Sequence, residues 1–467
     1  MNNIKYIKDH WHNLSPQVKE KIPWRLYLQK DHPLSITRQI IESVFPPPTY
    51  RYHTGLDPIV STVQNFDSLG FPADHPGRSR SDTYYINSST ILRTHTSAHQ
   101  ASTFRANLSP GYLISADVYR RDEIDRSHYP IFHQMEGARS WDRPKMRNGA
   151  DDADVAAQVW SDLEKLPTPV GLEVDDPNPP FHPERNPLQS DYHTPAEAEA
   201  IAAHLKRSLE LMVVEIFAHA RAAARRSRDP ATVSDAAQED TEPLRVRWVE
   251  AYFPFTSPSW ELEVFWEGDW LEVLGCGIVK QKMYINAGWP GQRGWAFGVG
   301  LDRLAMLLFQ IPDIRLFWSR DKRFLSQFRG VSDDLSLLRR FVPYSRHPPC
   351  YKDISFWLPE DQRPAEESGE EGVAAAGGKG SEGTADAGAG SAFHENDVMD
   401  TVRNVAGDLV EDVRLVDSFT HPDTGRRSMC YRITYRSLER TLTNDEANSM
   451  HASVTDSLVQ RLGVEVR

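Results

Sequence analysis

Apolar residues recur at helical spacing from Leu34 to Phe45. Ile36, Ile40, Ile41, Val44 and Phe45 form one stripe there, and Pro46-Pro47-Pro48 ends it. A second stripe comprises Ile201, Leu205, Leu209, Met212, Val213, Ile216 and Phe217. A start signal precedes it: Thr194 to cap, Pro195 for the first turn and Glu197 to complete a reciprocal capping box. Elsewhere the period falls to two. Phe132 to Gly137 alternates, so that Gln134 and Glu136 share one face. Strand-like segments run from Leu244 to Phe317 and then give way to one helix.

The C-terminal part has its own order. Ile354–Leu358 reads as a strand, Asp397–Val410 as a helix and Val413–Thr420 as a strand. A turn at Pro422–Gly425, a strand at Cys430–Tyr435, a helix at Asn444–Leu462 and a closing strand from Val464 follow. This is the β-α-β-β-α-β order of a ferredoxin-like domain. Two stretches fit neither period. Residues 142–193 are rich in Pro and Asp and predict a long, partly disordered surface insertion. Residues 365–392, mostly Gly, Ala, Glu and Ser, have too little apolar surface to fold. They interrupt the C-terminal domain between its first strand and first helix. The pattern predicts an α+β chain: an N-terminal segment (1–45), a main domain (46–318), a linker (319–349) and a C-terminal domain (350–467).

With 467 residues the chain can form two or three domains with a substantial core. A net charge of −13 argues against non-specific nucleic-acid binding through the whole surface, though not against a local basic face. No apolar run is long enough to span a membrane. Cys276, Cys350 and Cys430 lie far apart without metal-ligand spacing, as in a reducing compartment. Residues 1–10 hold lysines but no arginine, and no clear transit peptide is expected.

Chemistry concentrates in Asp117-Val-Tyr-Arg-Arg-Asp-Glu-Ile-Asp-Arg-Ser-His-Tyr-Pro-Ile-Phe-His-Gln-Met-Glu136, which reads as strand, polar loop and strand. Arg120 suits a phosphate and Glu136 an ammonium. In Gly294-Trp-Ala-Phe-Gly-Val-Gly-Leu-Asp-Arg303, Gly298 and Gly300 permit unusual dihedrals and close approach of a ligand. Arg303 falls in the first turn of a helix, where the dipole disfavours a cation and some other reason must keep it. Glu272 sits in an apolar strand, Trp270–Gly277, where a carboxylate is costly unless paired or bound to a cation. Tyr252-Phe-Pro-Phe-Thr256 puts Phe253 and Phe255 on one side of a strand.

These motifs resemble those of class II aminoacyl-tRNA synthetases, and among them the phenylalanyl-tRNA synthetases of the single-chain mitochondrial type. The resemblance covers most of the chain outside the two insertions. It implies an antiparallel sheet flanked by helices, followed by a ferredoxin-like anticodon-binding domain. It also implies ATP and Mg2+ as cofactors, phenylalanine and tRNA(Phe) as substrates, acylation of the 2′-hydroxyl, a monomer, and the mitochondrial matrix. By the same resemblance Arg120 is the catalytic arginine on the α-phosphate. Ser127, His128, Tyr129, Glu272 and Arg303 complete the ATP site, with Glu272 as a magnesium ligand. His95, Ser97, Ala98, His99, Gln100, Gln134, Met135, Glu136, Phe253, Phe255, Ala296 and Phe297 surround phenylalanine. Phe253 and Phe255 meet its ring edge to face, and nothing there partners a tyrosine hydroxyl. Arg426, Arg427, Arg432 and Arg436 are expected to meet tRNA phosphates. Ser81 stands before Asp82 where bacterial α-subunits carry a tryptophan, which points away from the bacterial type. A silent RNA-binding relative and an adenylating enzyme for another amino acid are the alternatives. Intact Arg120, Glu136, Glu272 and Arg303 argue against the first, and Phe253 with Phe255 against the second.

Overall fold

The computed structural model describes residues 6–143, 155–227, 242–344, 347–359 and 393–467. The low-complexity stretch expected at 365–392 lies outside these residues, as does 144–154 of the first insertion. The chain forms two compact units, Met1–Arg121 with Arg126–Ser345, and Asp122–Asp125 with Arg346–Arg467.

The strands of the first unit are, in chain order, β1 (Tyr50–His53), β2 (Ile59–Ser61), β3 (Tyr85–Asn87), β4 (Thr90–Leu92), β5 (Gly111–Tyr119), β6 (Ile131–Asp142), β7 (Leu172–Asp175), β8 (Leu244–Glu250), β9 (Thr256–Trp266), β10 (Asp269–Val279) and β11 (Gln292–Gly300). Eight of them form one sheet in the order β1-β5-β6-β11-β10-β9-β8-β7. The pairs from β5 to β8 are antiparallel, and β1 and β7 each add a parallel edge.

The two faces of this sheet differ. One is covered by the helices Pro33–Val44, Pro195–Ser227 and Leu301–Phe309. Ile36, Ile40 and Ile41 of the first are fully buried, as are Ile201, Leu205 and Leu209 of the second. The capping box expected at Thr194 forms: its hydroxyl accepts from the Glu197 amide at 3.1 Å, and Glu197 accepts from the Thr194 amide at 3.0 Å. Gly137 makes room for Phe297 on this covered face, since a Cβ there would lie 2.3 Å from that ring. Phe297 in turn stacks on Phe45 at 5.4 Å.

On the other face the registers align Ile114, Glu136, Gly298, Gly275 and Glu261 in one row across β5, β6, β11, β10 and β9. The neighbouring row holds Tyr112, Ala138, Ala296, Gly277 and Ser259. This face carries the chemistry.

Several expectations need correction. The N-terminal segment is part of the first unit: Trp24 packs on Trp318 and Tyr27 on His133. The expected linker 319–349 is, as far as Tyr344, also part of it. Phe324 and Phe328 are buried there, and the Phe341 amide donates to the Phe309 carbonyl. Its apolar residues are too widely spaced for one helix and appear as short helical turns instead. The described part of the expected surface insertion is ordered, with a helix at Ala156–Leu163 and edge strand β7. Buried Val155 and Val159 account for the helix. A helix at Gln281–Ala287 lies among the expected strands.

Arg93, just after β4, is wholly buried. It pairs with Asp117 of β5, donates to the carbonyls of Leu56 and Asp57 at 3.2 and 3.1 Å, and meets His99 Nε2 at 3.0 Å. Tyr119 donates to the same aspartate. A desolvated guanidinium with all these acceptors fixes the segment Thr94–Gln100 against β5.

The second unit has strands β12 (Cys350–Trp357), β13 (Val410–Thr420), β14 (Arg427–Tyr435) and β15 (Glu465–Val466), in the sheet order β13-β14-β12-β15. With helices Glu395–Ala406 and Asn444–Leu462 between them, this is the ferredoxin-like order the pattern predicts. Ile354, Phe356, Val398, Val402, Tyr431, Ile433, Val454 and Leu458 fill its core. Ile124 joins that core, and its carbonyl accepts from the Val413 amide at 3.0 Å.

No helix among the described residues is long and apolar enough to cross a membrane. Replacing Arg93 by methionine leaves Asp117 buried without its cation. The expected loss is about 3–5 kcal/mol of stability, measured by urea unfolding; a loss below about 1 kcal/mol would remove the pair as the anchor of this segment.

Candidate active site

Glu136 is the centre of the open face. Its side chain is 2% exposed, and burial raises its carboxyl from 4.5 to about 7 against the opposing pull of its hydrogen bonds. Those bonds come from Ser97 Oγ, from Gln100 Nε2 at 3.3 Å and from Tyr112 Oη at 3.0 Å. All three donors are neutral. The carboxylate therefore has hydrogen bonds but no positive charge, and an ammonium group is the ligand that satisfies it. Gln134, on the same face, accepts from the Thr96 amide at 3.3 Å.

Aromatic rings gather beside this carboxylate. Phe253 and Phe255 stack at 6.3 Å, and Phe71 lies 6.4 Å from Phe255 and 5.6 Å from His95. Phe253 and Phe255 are not on a strand as expected. They flank Pro254 in the loop between β8 and β9, because the proline removes a ladder donor. Gly275 admits the Phe253 ring, since a Cβ there would lie 2.5 Å from its edge. Burial holds the His95 imidazole neutral, down to about 3, and neither ring nitrogen meets a hydrogen-bond partner of good geometry. Ala296 lies on the same side of the sheet, packed with Tyr112, Ala138 and Phe255.

Beyond Gln134 the face turns polar. Arg120 donates from Nε to the Thr94 carbonyl at 2.9 Å and lies over the Phe132 ring at 5.2 Å. Gly298 and Gly300 face open space, with nothing within 4 Å of a Cβ at either. Neither has a positive φ, so close approach and not unusual dihedrals explains them. Arg303 is exposed in the first turn of its helix, while Asp302 is buried and accepts from the His133 amide at 2.5 Å.

Glu272 is exposed, which corrects the expected burial cost; it sits where β10 runs out past the covered part of the sheet. It pairs in register with Glu263, and Glu261 lies two residues away on the same strand face. Burial, and then the charges of Glu272 and Glu263, push the Glu261 carboxyl up. Glu263 is paired with Arg247, so Glu272 and Glu261 are the carboxylates left beside these open strand positions, and oxygen ligands of this kind suit a hard divalent cation.

Five expected residues lie elsewhere. Met135 and Phe297 point to the covered face, because side chains alternate along β6 and β11. Ala98 packs with Val60, Phe66 and Ile91. His99 meets Arg93. Tyr129 stacks on Trp318 at 5.3 Å and bonds Lys21. Ser127 and His128 are exposed on the loop, 3.2 Å apart.

The expected arginine cluster of the second unit is dispersed. Arg426 pairs with Glu465 at 2.7 Å and Arg432 with Asp353 at 2.7 Å, Arg427 donates to Ser418 at 3.2 Å, and Arg436 is held by Glu411 and the His347 carbonyl. Of the four, Arg427 and Arg432 lie on β14, where alternation puts them on opposite faces.

Comparison with known proteins agrees with this geometry. Residues 20–151 and 231–328 match the class II core domain of tRNA synthetases, and residues 389–467 the ferredoxin-fold anticodon binding domain. The mitochondrial phenylalanine–tRNA ligase of Saccharomyces cerevisiae is 44% identical over 483 residues, covering 100% of this chain and 94% of that protein. The chain belongs to the phenylalanine–tRNA ligase family. The mitochondrial phenylalanine–tRNA ligase of Mus musculus is 38% identical over 99% of this chain and 87% of its own length. A phenylalanine–tRNA ligase alpha subunit of Marinobacter nauticus is 32% identical over 64% of this chain and 68% of its own. Members of the class use ATP and a divalent metal.

In this member of the family, sequence reasoning missed Tyr112, Phe71 and Arg93. Tyr112 gives no local signal, because its bond to Glu136 depends on the pairing of β5 with β6. An arginine after the apolar run Ile91-Leu92 was a readable signal for a buried pair.

Gly275→Ala tests the ring packing. The Phe253 edge can move, so the fold should survive with its melting temperature little changed. The ring shifts into the pocket, and the KM for the amino acid should rise about fivefold or more. An unchanged KM would mean that Phe253 does not bound the pocket.

Proposed function

We propose that this chain activates phenylalanine with ATP and transfers it to the terminal ribose of tRNA(Phe). The observation that carries the reading is Glu136: a buried carboxylate with three neutral donors and no cation, beside a pocket of phenylalanine rings. An α-amino acid with an apolar aromatic side chain satisfies both halves. The ammonium goes to Glu136 with Ser97 and Gln100 around it, and Gln134 lies toward the carboxylate. The ring goes against the edges of Phe253 and Phe255, above Ala296.

Activation needs two anions brought together in line. A carboxylate oxygen of phenylalanine attacks the α-phosphorus, the bond to the β-phosphate bridge breaks, and pyrophosphate leaves. Arg120 stabilises the charge on the α-phosphoryl oxygens. Arg303 and the loop pair Ser127 and His128 hold the outer phosphates, and the open backbone at Gly298 and Gly300 leaves room for the nucleotide. Magnesium, bound with ATP, supplies charge neutralisation; Glu272 with Glu261 would hold it. In the second step a terminal ribose hydroxyl attacks the acyl carbon and AMP leaves. The second unit would read the anticodon. Trp357, Phe419 and His421 form a ring group there, with Arg426 and Arg467 over the Trp357 ring at 5.3 and 5.4 Å. We assign the chain to the mitochondrial matrix, acting as a monomer.

The test is pyrophosphate exchange into ATP with each amino acid in turn. Exchange driven by phenylalanine, far weaker with tyrosine and about a thousandfold lower in Arg120→Ala, is the expected result. No exchange from the folded protein with any amino acid would leave an RNA-binding relative as the better reading.

The pH dependence follows from Glu136. Only its ionised form attracts the ammonium, and its carboxyl titrates at about 7 in the free protein. Affinity for phenylalanine should fall as pH drops below 7, approaching tenfold per unit. Glu136→Gln should bind weakly and lose this slope in a KM–pH profile. A wild-type profile that is flat from pH 7 to 5.5 would show that Glu136 does not receive the ammonium.

A further inference from the structure

The pocket rings do not hold themselves. Phe255 is partly buried on a loop, and the His95 ring nitrogens have no partner of good geometry. What links them is Phe71. Its ring lies parallel to His95 at 5.6 Å and 14°, and it meets Phe255 at 6.4 Å. Its remaining edges meet His75 at 4.8 Å and Phe66 at 5.8 Å. The backbone is close as well: Gly70, at φ +79°, has the Pro254 carbonyl 3.8 Å from where its Cβ would be.

Phe71 is itself pinned. Arg78 Nη2 donates to the Phe71 carbonyl at 2.7 Å and to Asp67 Oδ1 at 2.5 Å, and its guanidinium lies over the Phe66 ring at 4.9 Å. The Arg78 carbonyl accepts from Tyr85 Oη at 2.6 Å, which ties the grip to β3. The chain therefore runs Arg78 to Phe71 to Phe255 and His95, from β3 to the wall of the pocket.

We infer that Phe71 is a specificity-determining positioning residue: with Arg78 behind it, it fixes Phe255 and His95 and so sets the width of the phenylalanine pocket. The inference rests on the function proposed above. A flat ring seated against both partners resists a wider substrate, whereas a flexible side chain of similar bulk lets Phe255 retreat.

The test uses the full chain and pyrophosphate exchange with phenylalanine and meta-chlorophenylalanine, whose chlorine widens the ring. In Phe71→Leu the preference, as the ratio of kcat/KM values, should fall roughly three- to tenfold, the range of one aromatic contact. The loss should appear in the KM for phenylalanine, with kcat nearly unchanged. A purely structural role would lower both substrates equally and leave the ratio alone. Arg78→Lys keeps the ring but loses the two-acceptor grip, and the ratio should move the same way by less; it decides the matter if Phe71→Leu fails to fold. An unchanged ratio in the folded variants overturns the inference while the function stands. A wild-type chain that activates no phenylalanine overturns the function itself, and the inference with it.

Discussion

A carboxylate buried without a cation is the constraint on which the catalytic unit turns. Burial moves the Glu136 carboxyl from 4.5 to about 7, which at high pH is a cost on the order of 3 kcal/mol for keeping it ionised. A fold tolerates such a cost where a ligand removes it. Ser97, Gln100 and Tyr112 reduce the cost without abolishing it, because neutral donors supply hydrogen bonds but no net charge. An arginine placed there would make the unit more stable and would close the carboxylate to any cationic ligand. Arg93 is committed to Asp117, and through His99 it holds the turn that carries Ser97 and Gln100.

The same face shows how register turns a strand pattern into a site. Glu136 on β6 faces Gly298 on β11, which faces Gly275 on β10. Two glycines in a row across a sheet leave a channel where side chains would otherwise close it. One end of that channel is occupied by the Phe253 ring over Gly275, and the other opens at Gly298 and Gly300. The reverse face uses its glycine differently: at Gly137 the space is filled by Phe297 from the neighbouring strand. A one-residue slip between β6 and β11 would exchange these faces and destroy pocket and core together.

Much of this was legible. The alternation Phe132 to Gly137, the capping box at Thr194 and the β-α-β-β-α-β order each come from local periodicity, and each appears in the structure. The errors share a cause. Met135, Phe297, Ala98 and His99 are neighbours in sequence of residues on the open face, but strand alternation turns the first two away from it and the helical turn Thr96–His99 turns the other two. Motif position alone does not carry that information, whereas the period of the element that holds the residue does. Tyr129 was drawn off by Lys21, more than a hundred residues away, and Tyr112 was invisible because its partner is set by sheet pairing. Glu272 departs from its expectation because β10, apolar in pattern throughout, is buried mainly beyond it, from Val273 on.

The charge pattern of the second unit completes the picture. Its arginines are already occupied: Arg426 by Glu465, Arg432 by Asp353, Arg440 by Glu446. Half-exposed pairs of this kind are worth little, typically under about 1 kcal/mol. A phosphate can therefore replace the carboxylate with little loss, while in the free protein the same carboxylates keep these cations from attracting polyanions at random. With a net charge of −13, the chain as a whole repels nucleic acid. In the reading we propose, several arginines exchange partners at once, next to rings that can stack on bases; a folded RNA that fits those positions permits this, and a random polyanion does not.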